Sequence, residues 1–189
     1  MLTLTYLSRV SITLQCEALE GLTLHNNLIE RFPECILKLE GLQELYLNGN
    51  KLSSLPENLG DLFNLTELDI MDNKIRELPI SIGQMKQLKV LHAERNELET
   101  IPKEIRKCKE LKGLYLQNNR LSKLVSSIGR CAKLEALNIE DNRIAKIAKR
   151  IAELPKLKYL MLANNAITSL PFDPTKTAPG LRRLTLSGK

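Results

Sequence analysis

The stretch "LQELYLNGNKLSSLPENLGDLFN", residues Leu42 to Asn64, decides how the chain is built. Leucines stand at fixed intervals, an Asn falls where they pause, and a Pro follows. The next stretch, "LTELDIMDNKIRELPISIGQMKQ" from Leu65, keeps every apolar position. "LKVLHAERNELETIPKEIRKCKE" follows from Leu88, "LKGLYLQNNRLSKLVSSIGRCAK" from Leu111 and "LEALNIEDNRIAKIAKRIAELPK" from Leu134. Upstream, "LEGLTLHNNLIERFPECILKLEG" opens at Leu19. These six copies are 23 residues long, a seventh from Leu157 has 24, and Leu181 opens a truncated eighth.

Counted from the first Leu, positions 1, 4, 6, 11, 14, 18 and 21 are apolar and position 9 is Asn. Positions 4 and 6 have strand spacing, which puts both side chains on one face. Pro recurs at position 15, as Pro33, Pro56, Pro79, Pro102 and Pro171, and the apolar residues after it follow helical spacing. Pro is tolerated in the first turn of a helix. Each copy therefore predicts a short strand, a turn, and a short helix or 3-10 segment on the opposite side. Val125 and Ala148 replace the Pro of their copies, which predicts more regular helix there. One such unit cannot bury its apolar face alone, so the units stack.

Stacking explains the lone Asn. The turn after each strand is buried between neighbouring coils, where an unpaired amide costs about 1–3 kcal/mol. An Asn side chain carries a donor and an acceptor and can bond the backbone around the turn. Asn27, Asn50, Asn73, Asn96, Asn119, Asn142 and Asn165 are expected to form a structural row.

The pattern LxxLxLxxNxLxxLPxxIxxLxx resembles the leucine-rich repeat superfamily, over Leu19 to Gly180 and the stub at Leu181. The length of 23 and the "LP" followed by Ile or Leu look like the intracellular subclass of Ras-suppressor and Scribble-type proteins, and similar repeats are common in bacteria. The resemblance implies an α/β solenoid: a right-handed horseshoe arc, a parallel sheet on its concave face and short helices or 3-10 segments on its convex face. It implies a noncatalytic protein-binding role, as a cytoplasmic adaptor or signalling scaffold. The domain organisation expected is an N-terminal cap at 1–18, a strand or hairpin, then seven repeats at 19–180 and the partial eighth at 181–189. "LPFDPTKTAPG" in the seventh repeat reads as an irregular loop.

Composition agrees with a soluble domain. The 189 residues are 43% hydrophobic and only 4% aromatic, which suits a core of Leu and Ile. No run is long and apolar enough to span a membrane. The first residues lack a basic n-region, and Arg9 interrupts them, so they read as strand rather than signal peptide. Cys16, Cys35, Cys108 and Cys131 form no CxxC or CxC pair, so neither a metal nor a cofactor is expected. Cys108 and Cys131 share one repeat position and should be stacked neighbours, read as reduced buried thiols with a disulfide as the alternative. The single sequon, Asn64-Leu65-Thr66, carries little information.

Function is sought on the outward strand positions 3, 5 and 7, with position 8 beside them. Candidate partner-binding residues there are Glu44, Tyr46, Glu67, Asp69, Met71, His92, Glu94, Tyr115, Gln117, Asn138, Glu140, Tyr159 and Met161. Over the second to sixth repeats this face carries seven acids (Glu44, Glu67, Asp69, Asp72, Glu94, Glu140, Asp141) against one cation, Arg95. The whole chain is nevertheless net +6. Positive charge lies elsewhere: Lys51, Lys74, Arg120 and Arg143 after the Asn, and Lys103, Arg106, Lys107, Lys109, Lys149 and Arg150 on the convex side. Tyr and Met anchors amid carboxylates point to a protein partner of basic character. The alternatives are a structural or self-assembling scaffold, associating through the C-terminal edge strand, or a binder of nucleic acid or an anionic surface through the basic side. The basic positions are interleaved with Glu104 and Glu110 and lack stacking aromatics, which argues against nucleic acid. His25 and His92 stand in different repeats with no matched Ser or Cys nucleophile, so no enzyme is expected. His92, near Asp69 and Glu94, is expected to titrate with a raised pKa.

Overall fold

The computed structural model describes residues 2–3, 18–173 and 180–186. Among them run nine strands: β1 (Leu2–Thr3), β2 (Gly21–Thr23), β3 (Glu44–Tyr46), β4 (Glu67–Asp69), β5 (Val90–His92), β6 (Gly113–Tyr115), β7 (Ala136–Asn138), β8 (Tyr159–Met161) and β9 (Arg183–Thr185). They form one parallel sheet in sequence order. The register never slips: Glu44 faces Glu67, then Val90, Gly113, Ala136 and Tyr159, the same repeat position in each coil. The sheet is open and lines the concave side of a solenoid arc.

From β2 to β8 each strand stops after three residues, and the chain turns at position 8. Asn26, Gly49, Asp72, Arg95, Asn118, Asp141 and Asn164 all have positive φ, between 51° and 67°. That left-handed region is tolerated by Gly and favours Asn and Asp among the rest, which is what six of the seven positions supply.

On the far side run 3-10 segments at Glu34–Lys38, Leu59–Asp61, Ile80–Gln84, Lys103–Lys107, Ser126–Arg130 and Lys149–Ile151. The regular helix expected after Val125 and Ala148 is not formed; both repeats keep 3-10 turns. Val125 (φ −66°, ψ 128°) and Ala148 (φ −71°, ψ 137°) adopt nearly the conformation of Pro79 and Pro102. Stacking on neighbouring coils imposes the turn whether or not a pyrrolidine ring fixes φ.

Between sheet and 3-10 segments lies one continuous core. In the fourth repeat Leu88, Leu91, Ala93, Leu98, Ile101, Ile105 and Cys108 are all buried, which is the full apolar set of the period. Cys108 and Cys131 occupy the position that holds Leu39, Leu62 and Met85 in earlier coils. Both are free thiols. Their Sγ atoms donate to the carbonyls of Ile82 (3.2 Å) and Ile105 (3.6 Å). Burial pushes their pKa up, to about 12 and about 11, so they stay protonated and inert.

At the N-terminus Leu2 and Thr3 pair in parallel with Leu22 and Thr23. The rest of the expected cap, residues 4–17, lies outside the described residues, as do residues 174–179 of the expected irregular loop and 187–189 of the eighth repeat. Among the described residues no helix is long and apolar enough to cross a membrane.

Candidate functional site

Two rows follow directly from the register. The first is the Asn row. The Nδ2 of Asn73 donates to Leu47 O (3.0 Å) in the preceding coil and to Ile70 O and Met71 O (3.1 Å each) in its own. Its Oδ1 accepts from Leu52 N at 2.9 Å. Asn50, Asn96, Asn119, Asn142 and Asn165 repeat this set, each tying two coils together. Asn27 donates to Leu24 O and His25 O.

The second row runs along the concave face. Position 5 of successive strands gives Tyr46, Asp69, His92, Tyr115, Asn138 and Met161 as direct neighbours. At its centre the rings of His92 and Tyr115 stack, with centroids 4.7 Å apart and planes 5° from parallel. Gly113 makes room: a Cβ there would meet the Tyr115 ring at 2.9 Å. His92 Nδ1 lies 3.0 Å from Glu94 Oε1. That hydrogen bond, with the charges of Glu94, Asp69 and Glu67, raises the His92 pKa against the opposing effect of burial. Burial raises the Asp69 carboxyl, although its Oδ1 accepts from Met71 N at 2.9 Å. Burial together with Glu67 and Glu44 pushes Tyr46 up to about 12, and its hydroxyl reaches Glu44 Oε2 at 3.5 Å. Burial first, then Glu94, raises Tyr115.

A family model described as a leucine-rich repeat region matches residues 22–116, half of the chain, and a second, leucine rich repeat, matches 132–188. The chain belongs to the leucine-rich repeat family. Among solved structures it is similar to an internalin C2 from Listeria monocytogenes, with 26% identity and a TM-score of 0.79, over 89% of this chain and 71% of that one. An internalin InlF from the same organism aligns at 23% identity and a TM-score of 0.79, over 90% of this chain. The chain spans 48% of that second relative's length, and at this identity the likeness shows the fold alone. Curated protein sequences give no match.

The repeat geometry sorts the candidate residues by depth. Glu44 and Tyr159 are exposed, and Tyr46, Glu67, Asp69, Met71, His92, Tyr115, Gln117, Glu140 and Met161 are half-buried. Glu94 and Asn138, expected to face solvent, are buried at 7% and 8% exposure. Asn138 turns its Oδ1 to its own backbone at Glu140 N (3.0 Å), the same local bond that Asp69 makes. Glu140 accepts from Thr185 Oγ1 at 2.5 Å, across β8. Met71 and Met161 share the face at opposite sides of the ring stack.

Position 8 is not part of the contact surface in the way its place beside the strand suggested; it is the turn itself. Arg95, the lone cation there, pairs with Asp72 at 3.6 Å, and Asn164 bonds Asp141 at 2.9 Å. The signal in the sequence was the run of Asn, Gly and Asp at that position. Away from the concave face, Glu97 binds both Arg76 (3.4 Å) and Arg120 (3.1 Å). Lys133–Glu110 (2.5 Å) and Lys158–Glu135 (2.6 Å) link successive coils and hold both carboxyls below their usual range. Lys103, Arg106, Lys107, Lys109, Lys149 and Arg150 make no ion pair among the described residues. No group of three His, Cys, Asp or Glu among the described residues could hold a metal ion.

Proposed function

We propose that this leucine-rich repeat protein is a noncatalytic interaction module that binds a partner of basic character on its concave face. One observation carries the reading. Glu44, Glu67, Asp69 and Glu94 crowd β3 to β5 beside Tyr46, Met71 and Tyr115, and the only cationic groups there are His92 and the already paired Arg95, in a chain that is net +6. Carboxylates around Tyr and Met give a basic partner both steering charge and anchors. The 23-residue period and its "LP" signature support placing the repeats in the intracellular subclass, and the buried thiols at Cys108 and Cys131 support a reducing compartment. An adaptor or signalling scaffold is the role that fits.

The test is capture of partners from source lysate on wild type beside a Glu67→Lys, Asp69→Lys variant. Both residues are half-buried on the concave face, and the variant's melting curve checks that it folds. Glu94 is left alone because it is buried. A protein held by wild type and lost by the variant supports the concave site. Equal recovery on both overturns it.

A further inference from the structure

Positive charge gathers along one flank of the arc. Position 2 of each repeat stands just before its strand, and its backbone extends the ladder. Lys112 N donates to Lys89 O, Glu135 N to Lys112 O and Lys158 N to Glu135 O (2.8 Å each), and Arg182 N to Lys158 O (2.7 Å). The register does not slip, so these residues line one side of the arc. The short turns that close the convex segments lie beside them. A recess on this flank is lined by Pro155 and Lys156 of one such turn together with Glu135, Lys158 and Arg182. Lys86, Lys109 and Lys133 stand in the equivalent turns of earlier coils.

The protein does not neutralise this row. Between Lys86 and Arg182 the acids at these positions are Glu110 and Glu135, and each is already held by a lysine, Lys133 at 2.5 Å and Lys158 at 2.6 Å. Lys86, Lys89, Lys109, Lys112, Lys156 and Arg182 make no ion pair among the described residues. Neighbouring coils are about 4.8 Å apart, so adjacent cations lie within about one Debye length and act together. The carboxylates at positions 5 and 7 of the concave face stand farther along the strands, about 10 and 16 Å away, and cancel little of this charge. Toward the N-terminal coils the flank changes character: its recess there is lined by Glu20, Gln43, Asn64, Thr66 and Gln87, with no cation. At the boundary stands Phe63, which shares the turn position of Lys86 one coil earlier and is 49% exposed.

We propose that this flank docks on an anionic lipid surface, with the lysine row over the headgroups and Phe63 entering the interface. The proposal goes beyond the concave-face reading and does not depend on it: an arc lying on its flank leaves the concave face open to a partner. Three features favour lipid over other polyanions. Level strand ends present their cations side by side to a flat surface. Lysine, a point charge on a flexible stem, suits a diffuse layer of headgroups. Arg182 is the one guanidinium in the row, and no aromatic is interleaved between Lys86 and Arg182 at these positions to stack bases. Phe63 supplies the apolar component of interfacial binding, which adds to the attraction of the charges.

The experiment is co-sedimentation with vesicles of phosphatidylcholine alone and of phosphatidylcholine with phosphatidylserine, at low and high salt. Binding is expected to the anionic vesicles only, and to fall as salt rises. Lys89→Gln with Lys112→Gln should weaken it about 25-fold, about fivefold for each charge at the surface. Both side chains are exposed, and a melting curve checks that the variant folds. Phe63→Ala should weaken binding about fivefold. The chain has no Trp, so Phe63→Trp reports on that turn alone, and its emission should shift to the blue on anionic vesicles. Lys103→Gln with Lys107→Gln, exposed on the convex side, should bind as wild type does. Equal binding to both vesicles, an unmoved Phe63→Trp emission, or a convex pair that costs as much as the flank pair overturns the proposal. So does a single-stranded oligonucleotide or a polyglutamate peptide held more tightly than the vesicles, which would assign the row to nucleic acid or to an acidic protein.

Discussion

Two residues of the fourth repeat show how differently one coil treats its polar groups. Asn96 is 8% exposed and bonds Ile70 O (2.9 Å), Ala93 O, Glu94 O and Ile75 N (2.9 Å). Asn96→Ala removes all four and leaves buried backbone groups without partners. The expected loss is about 2–3 kcal/mol in denaturant unfolding, from unsatisfied groups at about 1–3 kcal/mol each with partial relaxation. Unchanged stability would contradict the structural role of the row. Its neighbour Arg95 works against the fold. It sits at φ 51°, where the other repeats have Asn, Asp or Gly. A left-handed non-Gly residue costs about 1 kcal/mol. Its ion pair to Asp72, 3.6 Å long and largely in solvent, returns less than about 1 kcal/mol. Arg95→Asn is therefore expected to stabilise by about 0.5–1 kcal/mol. A midpoint equal to or below wild type would mean that the Arg95 side chain contributes more than its geometry suggests.

Each coil is a strand, a left-handed turn and a 3-10 segment, and the sequence made this legible unevenly. The apolar period placed every strand and its register, because a one-residue slip would expose Leu68 or Leu91. It also marked the Asn row. What periodicity could not give was depth. Alternation says that Glu94 and Asn138 point toward the concave side, not that neighbouring side chains cover them. Nor could it show the His92–Tyr115 stack, which needs the space that Gly113 leaves. The helix expected at Val125 and Ala148 failed for a related reason: Pro marks the turn without causing it. That failure makes a prediction. Both residues already have Pro-like φ and ψ, and neither N–H makes a hydrogen bond among the described residues. Val125→Pro and Ala148→Pro should each stabilise by about 0.4–1 kcal/mol by restricting the unfolded chain. The sites stack in successive coils, so the double variant in urea unfolding also measures the coupling between them. Destabilisation by either would show that its coil is held differently from those with Pro79 and Pro102.

A solenoid has no contacts between distant coils, so its stability is a sum of coils and of interfaces between neighbours. The interfaces here are not equal. Through the fourth and fifth repeats the core positions are closed: Leu91, Leu98, Leu114 and Leu121 are fully buried. Toward the C-terminal side Ile167, Leu170, Leu181 and Leu184 are only partly buried and rest against the core's end. Asn165 is half-buried where Asn96 and Asn119 are buried. Less apolar area removed from water means a weaker interface at the same entropy of ordering. Opening should therefore begin at β9 and β8 and run inward, with β5 and β6 the last to exchange. Native-state hydrogen exchange measures this directly: amides of Leu162 and Arg183 should exchange with lower opening free energies than those of Ala93 and Leu116, whose bonds to Tyr115 O (3.0 Å) and Asn138 O (2.8 Å) lie between closed coils. Uniform protection from β3 to β9 would mean that the whole arc opens as one unit. The gradient also bears on binding, because the His92–Tyr115 centre sits on the strands expected to exchange last, so a partner docked there would meet a surface already ordered.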